Sequence, residues 1–166
     1  MNSKNISRAI SGLAVAAAAV ILLAASAQAA SWRGIEPFAS KRADVERVLG
    51  APVADRYAEN GTLQFNVSGG AVTIFFVTAK FVAAKKLSPS LEGTVLQIVL
   101  QHQSAADTPE SLNLSGNKDY EHRREGKVEV YTNAKEGVAY TFVDGRLKTT
   151  RHFYSSEQFQ RIQRGA

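Results

Sequence analysis

Cysteine is absent from all 166 residues. That excludes a disulfide framework, a thiol nucleophile and a lipid-modified cysteine at an export cleavage site. The recurrent catalytic patterns are missing too: the chain holds no G-x-S-x-G, H-E-x-x-H or G-x-G-x-x-G, no phosphate loop and no calcium loop. Histidine is scarce. His102, His122 and His152 lie 20 and 30 residues apart, without the i, i+2 or H-x₃-H spacing that brings two imidazoles to one metal. Asp44 and Glu46 stand two apart on a candidate helix and diverge by about 200°, so they read as surface charges pairing with Lys41, Arg42 and Arg47 rather than as a carboxylate pair. No catalytic residue, metal ligand or cofactor is assigned.

The N-terminus is informative. Lys4 and Arg8 precede an apolar run from Gly12 to Ala25, and Ala27-Gln28-Ala29 follows with small residues at the spacing a signal peptidase accepts. Residues 1–29 are therefore expected to be a signal peptide, cleaved after Ala29 or, second, after Ala30. The alternative is an uncleaved anchor, since the charge-free stretch from Ala9 to Trp32 can cross a hydrocarbon layer of about 30 Å. No twin-arginine pair precedes the run, so export as an unfolded chain is the simpler route. Residues 30–166 are expected to form a single α+β domain, large enough to bury a core without metals or disulfides. Cleavage leaves 18 basic and 15 acidic residues, a net charge of +3. This is too mild for a polyanion binder, and no specific nucleic acid partner is expected.

Along the domain the hydrophobic period changes from helical to alternating. Val45, Val48 and Leu49 form an i, i+3, i+4 stripe, with Ser40 as the expected cap and Gly50 and Pro52 as the stop. Asn60-Gly61 reads as a hairpin turn leading to a strand with Leu63, Phe65 and Val67 on one side. Residues 71–77 and 94–101 are β-branched and aromatic, hence strands, and Ala79 to Leu87 between them is rich in helix formers. Asp107-x-x-Glu110 and Ser155-x-x-Gln158 read as capping boxes, the second opening a closing helix with Phe159 and Ile162. The expected fold is α+β, an antiparallel sheet of seven or eight strands with short helices packed on one face.

The second half echoes the first. Gly61-Thr-Leu-Gln-Phe, Ala71-Val-Thr-Ile-Phe-Phe and Gly93-Thr-Val-Leu-Gln-Ile are matched by Gly126-Lys-Val-Glu-Val-Tyr, Gly137-Val-Ala-Tyr-Thr-Phe and Gly145-Arg-Leu-Lys-Thr-Thr. Two related meander units are one reading, and two hairpin-rich stretches that merely look alike are the other. Asp144-Gly145 is the expected tight turn of the last hairpin. In the strand after it, simple alternation places Arg146, Lys148 and His152 on one face and Arg151 on the other. Arg146, Lys148 and His152, with Arg123, Arg124 and Lys127 nearby in sequence, form a candidate patch for an anionic partner. The competing reading is solubilising charge on an exposed sheet face.

The run Trp32-Arg33-Gly34-Ile35-x-Pro37-x-x-Ser40-x-Arg42-x-Asp44-Val45-Glu46-x-x-Leu49-Gly50-x-Pro52 resembles the opening of a group of uncharacterised exported bacterial proteins, which bring no activity with them. Its Val45-x-x-x-Leu49-Gly50-x-Pro52 part is also similar to the small outer-membrane assembly lipoproteins, in which such a helix precedes a strand meander. This chain departs from them in lacking the acylated cysteine. The functional expectation is a non-enzymatic envelope or secreted binding module, periplasmic or extracellular and soluble after cleavage, with a protein or an anionic envelope component as partner. The alternative is an exported hydrolase whose site is assembled from scattered histidine and acidic residues.

Overall fold

Neighbouring period-two segments pair with each other, and most of the architecture follows from that. In the computed structural model, which describes residues 31–165, β1 (Ala54–Arg56), β2 (Thr62–Val67), β3 (Gly70–Phe76) and β4 (Val95–His102) form one antiparallel meander. A second is made by β5 (Glu121–Glu125), β6 (Val128–Asn133), β7 (Val138–Val143) and β8 (Arg146–Phe153). Antiparallel pairing of β4 with β8 joins them into one eight-stranded sheet, in the order β1-β2-β3-β4-β8-β7-β6-β5. The expected α+β class with an antiparallel sheet is the one the chain adopts. The signal peptide expected over residues 1–29 lies outside the described residues.

The strand order is mirrored about the β4–β8 seam, as a local twofold axis through the Val99–Arg151 pair would require. Counting outward along the ladders makes Ile98, Ile74 and Leu63 equivalent to Thr150, Tyr140 and Tyr131, and Leu100, Val72 and Phe65 equivalent to His152, Val138 and Asn133. This corrects the sequence echo, which set Leu63 and Phe65 against Val128 and Val130. Those valines lie on the opposite face of the sheet, because the pleat period is two and a shift of an odd number of residues exchanges faces.

The described elements that pack on the sheet pack on one face. Ile35 from the N-terminal hook and Val45 from α1 (Arg42–Leu49) close over Leu63, Phe65, Val72, Ile74 and Ile98. Val82 of α3 (Ala79–Lys85) and Phe159 and Ile162 of α4 (Ser156–Arg164) gather with Phe38, Leu87 and Tyr154 at one end of the sheet. Leu112 and Leu114 from the 103–120 connection cover Tyr131, Phe142 and Leu147. Burying a side chain of this size contributes about 1.5–3 kcal/mol, so the coverage fixes which face is core.

Several local expectations shift by a residue. The cap of α1 is Lys41, whose N–H donates to the Asp44 carboxylate at 3.0 Å; Ser40 instead accepts from the Glu36 N–H at 2.9 Å within the hook. Val48, expected on the buried stripe, is exposed. Asn60-Gly61 is no two-residue turn, since Tyr57–Asn60 forms a one-turn helix, α2, and Gly61 ends it in the left-handed region at φ 70°. The box at Asp107 starts at Thr108, whose hydroxyl accepts from the Ser111 N–H while Ser111 accepts from the Thr108 N–H. Ser155 does cap α4, accepting from the Gln158 N–H. The Gln158 amide, however, donates to the Pro37 carbonyl at 2.8 Å and ties the last helix to the hook. Asp44 and Glu46 pair with Arg47 and Arg42 as expected.

Candidate functional site

The uncovered face of the second meander carries the basic residues, though not in the combination that alternation suggests. Between β7 and β8 the register slips: Thr141 pairs with Thr149 but Phe142 with Leu147. Lys148 is therefore an extra residue, a β-bulge, and the alternation restarts after it. Leu147 reaches the core as expected, 5 % exposed. His152, half-buried, lies on that same side, opposite Ile98 and Val138. The shared face of Arg146, Lys148 and His152 is thus corrected: Arg146 lies on the open face with Thr149 and Arg151, Lys148 projects from the bulge, and His152 belongs to the covered side.

Three ladder rows cross this open face from β5 to β8. They read Glu121–Thr132–Ala139–Arg151, Arg123–Val130–Thr141–Thr149 and Glu125–Val128–Val143–Arg146. The outer wall is the edge strand, with charges of alternating sign, and the inner wall carries Arg151 and Arg146. The floor between them is small or apolar. A concavity of about 790 Å³ occupies this part of the face, lined by Glu121, Arg123, Arg124, Glu125, Val128, Val130, Thr132 and Arg151. A smaller one of about 320 Å³ lies on the same face at the far end, among Arg56, Gln64, Thr73 and Phe75.

The arginines of this trough differ in how far they are satisfied. Arg123 pairs with Glu121 at 2.8 Å, and Arg146 donates to the Ala106 carbonyl at 2.7 Å. Lys127, in the β5–β6 turn, pairs with Asp144 in the β7–β8 turn at 3.0 Å. Arg151 has no carboxylate partner among the described residues, and its guanidinium lies over the Phe153 ring, 5.1 Å from the centroid. Such stacking holds the planar group in place while leaving its N–H edge available. Arg124 reaches only the Gly126 carbonyl, at 3.5 Å. Sequence reasoning missed Arg151: its i, i+2 relation to Phe153 can be read from the sequence, but the face the pair takes shows only once the bulge is known.

The covered face gathers all three histidines. His102 Nε2 meets the Thr150 hydroxyl at 2.9 Å, and burial, partly opposed by the Asp107 carboxylate, pushes its pKa below the ordinary value. Burial also lowers that of His152, whose Nδ1 is shielded from solvent and has no hydrogen-bond partner among the described residues. His122 stacks on Tyr131 with centroids 4.3 Å apart, and its Nε2 meets Glu129 at 3.1 Å. Tyr120 and Tyr140, raised above their ordinary value by burial, lie close by on the same side. No group of three metal-binding side chains converges among the described residues. Besides the two on the open face, concavities of about 410 and 260 Å³ lie beside α1 and α2, and no histidine lines any of these four. No helix among the described residues is long and apolar enough to cross a membrane.

No protein-family model matches this sequence, and no curated protein does. Among solved structures the fold is similar to that of a DUF4309 family protein (YjgB) from Bacillus subtilis, with a TM-score of 0.51 and 13% sequence identity over 76% of this chain and 88% of that one. At that identity the likeness is one of fold alone.

Proposed function

We propose that this chain is an exported binding module without enzymatic activity of its own, and that the uncovered sheet face of its second meander takes the partner in the envelope or outside the cell. The basic, apolar and small-residue segments over residues 1–29 support export. The observation that carries the binding role is one-sided coverage. Hook, helices and long connection all pack on one face, which leaves the other as a trough of about 790 Å³ whose Arg151 has no carboxylate partner among the described residues. Concave sites with a few oriented polar groups on a mostly apolar floor are where ligands bind. An exported hydrolase would need a histidine with an acid or hydroxyl inside a concavity. The His122–Glu129 and His102–Thr150 pairs are outside all four described above.

The test is capture from envelope and medium fractions with the exported protein and with Thr141→Arg, which places a long side chain on the trough floor. The expected result is a partner held by the first and lost by the second. Equal capture by both would move binding off this face. N-terminal sequencing of the exported protein should begin at Ala30 or Ser31, and an intact Met1 species in the membrane would overturn the export reading.

A further inference from the structure

We infer that the trough is built for an extended protein segment, with a carboxylate side chain bound by Arg151 and a basic one by Glu125, rather than for a polyanion. The inference rests on the proposed role of the open face and names the chemistry of its occupant. A polyanion site needs cations on both walls, and here the edge strand lines the trough with Glu121 and Glu125 beside Arg123 and Arg124, with Arg123 already neutralised by Glu121 and Arg124 turned to the Gly126 carbonyl. A run of phosphates or uronates laid along it would meet two carboxylates. The floor argues the same way: Val128 is exposed, and Val130 and Val143 are half-buried. Apolar side chains of a peptide fill such a surface, whereas a hydrated polyanion gains nothing from it.

Two charged side chains in the trough, Arg151 and Glu125, have neither an ion-pair partner nor a hydrogen bond among the described residues, whereas Arg124 and Arg146 donate to backbone carbonyls. The first two stand at opposite corners. Arg151 is in the first row on the inner wall and Glu125 in the third row on the outer wall. Three strand spacings and two double-residue steps separate them by about 20 Å along the sheet, which about six residues of extended chain can span. A stacked, otherwise unoccupied guanidinium is the kind of group that anchors interfaces, and its fork suits a carboxylate in two-point contact. The matching segment therefore has one acid and one base about six positions apart, with apolar residues between.

The test is selection of a random twelve-residue peptide library on the protein produced from its full coding sequence. The Kd of the best peptide is then measured by fluorescence anisotropy for the wild type, Arg151→Gln and Glu125→Gln, its footprint is mapped by amide chemical shifts, and polyglutamate serves as the polyanion probe. Enriched peptides should share an acid and a base at that spacing. Arg151→Gln should weaken binding at least tenfold and Glu125→Gln about threefold, with thermal midpoints unchanged, and polyglutamate should bind more weakly than the best peptide. Absence of enrichment, enriched peptides without an acid, indifference to Arg151→Gln or tighter binding of polyglutamate would each overturn the inference. A footprint in the trough that ignores Arg151 would leave the open face as the binding surface while removing this occupant. A footprint on the covered side or the helices would remove both.

Discussion

The two meanders solve the same packing problem with different chemistry. At six equivalent positions on the covered face the first presents Leu63, Phe65, Val72, Ile74, Ile98 and Leu100, and the second presents Tyr131, Asn133, Val138, Tyr140, Thr150 and His152. The first set is held by the hydrophobic effect alone and needs only shape. The second brings polar atoms that need partners: Asn133 accepts from the Glu136 N–H, Thr150 meets His102, and the Tyr131 hydroxyl reaches Glu129, while His152 Nδ1 is left without one among the described residues. One strand arrangement can thus be closed by either means. The polar means makes the second half sensitive to pH and to the loss of single partners.

The sharpest contrast is between Phe65 and its equivalent Asn133. Phe65→Ala should cost about 3–5 kcal/mol, as truncations of buried aromatics do, and Asn133→Ala about 1–3 kcal/mol through the hydrogen bond it deprives of an acceptor. Urea unfolding followed by circular dichroism measures both, and equal costs would show that the halves do not differ in how they are held. Next in size is Thr150→Val, which keeps the shape but removes the hydroxyl partner of His102. A loss of about 1 kcal/mol is expected, and in a double-mutant cycle the effect should vanish when His102 is already Leu.

A third prediction uses pH. His102 and His152 have native pKa values lowered by burial, so the unfolded chain binds their protons more readily. Stability should then fall as pH drops below about 7 through the unfolded value of about 6.5, and level off beneath the native values. Asp44 and Asp55, both lowered chiefly by backbone N–H groups, lose their contribution only at more acidic pH, as they are protonated. His152→Leu, which restores the residue type of the first meander, should reduce the slope in the higher window to the part His102 supplies and leave the acidic one in place. An unchanged slope between pH 7 and 5 would count against His152 as its source. The smallest effect is expected on the open face: Arg146→Ser with Lys148→Ser should change the unfolding free energy by less than about 1 kcal/mol, because one donates to an exposed carbonyl and the other projects from a bulge. A larger loss would mean that this face contributes to folding as the covered one does.

Much of the fold can be read locally. Asp144 and Gly145 both take positive φ, 50° and 70°, the conformation their residue types favour in a two-residue hairpin. The strands at Gly70–Phe76 and Val95–His102 lie within a residue of their expected positions, because β-branched and aromatic runs leave little alternative. The candidate site was half legible. Arg146, Arg123 and Arg124 are named by their charge and their closeness in sequence, but Arg151 is assigned to the wrong side by the same alternation that correctly buries Leu147.

By itself the sequence determined what depends on neighbours along the chain: strand and helix periods, the turn at Asp144-Gly145, the cap at Ser155 and the absence of any thiol chemistry. The tertiary structure decided what depends on neighbours across it. The bulge at Lys148 adds a residue to β8 where Arg146 and Leu147 meet the carbonyls of Ala106 and Asp107 at the end of a distant connection, and no glycine or other local signal marks it. Through that one residue the structure moved His152 into the covered face and Arg151 out of it. The register of a strand is set by the pairing that buries the most apolar surface and satisfies the most backbone groups, and that sum runs over contacts far apart in sequence.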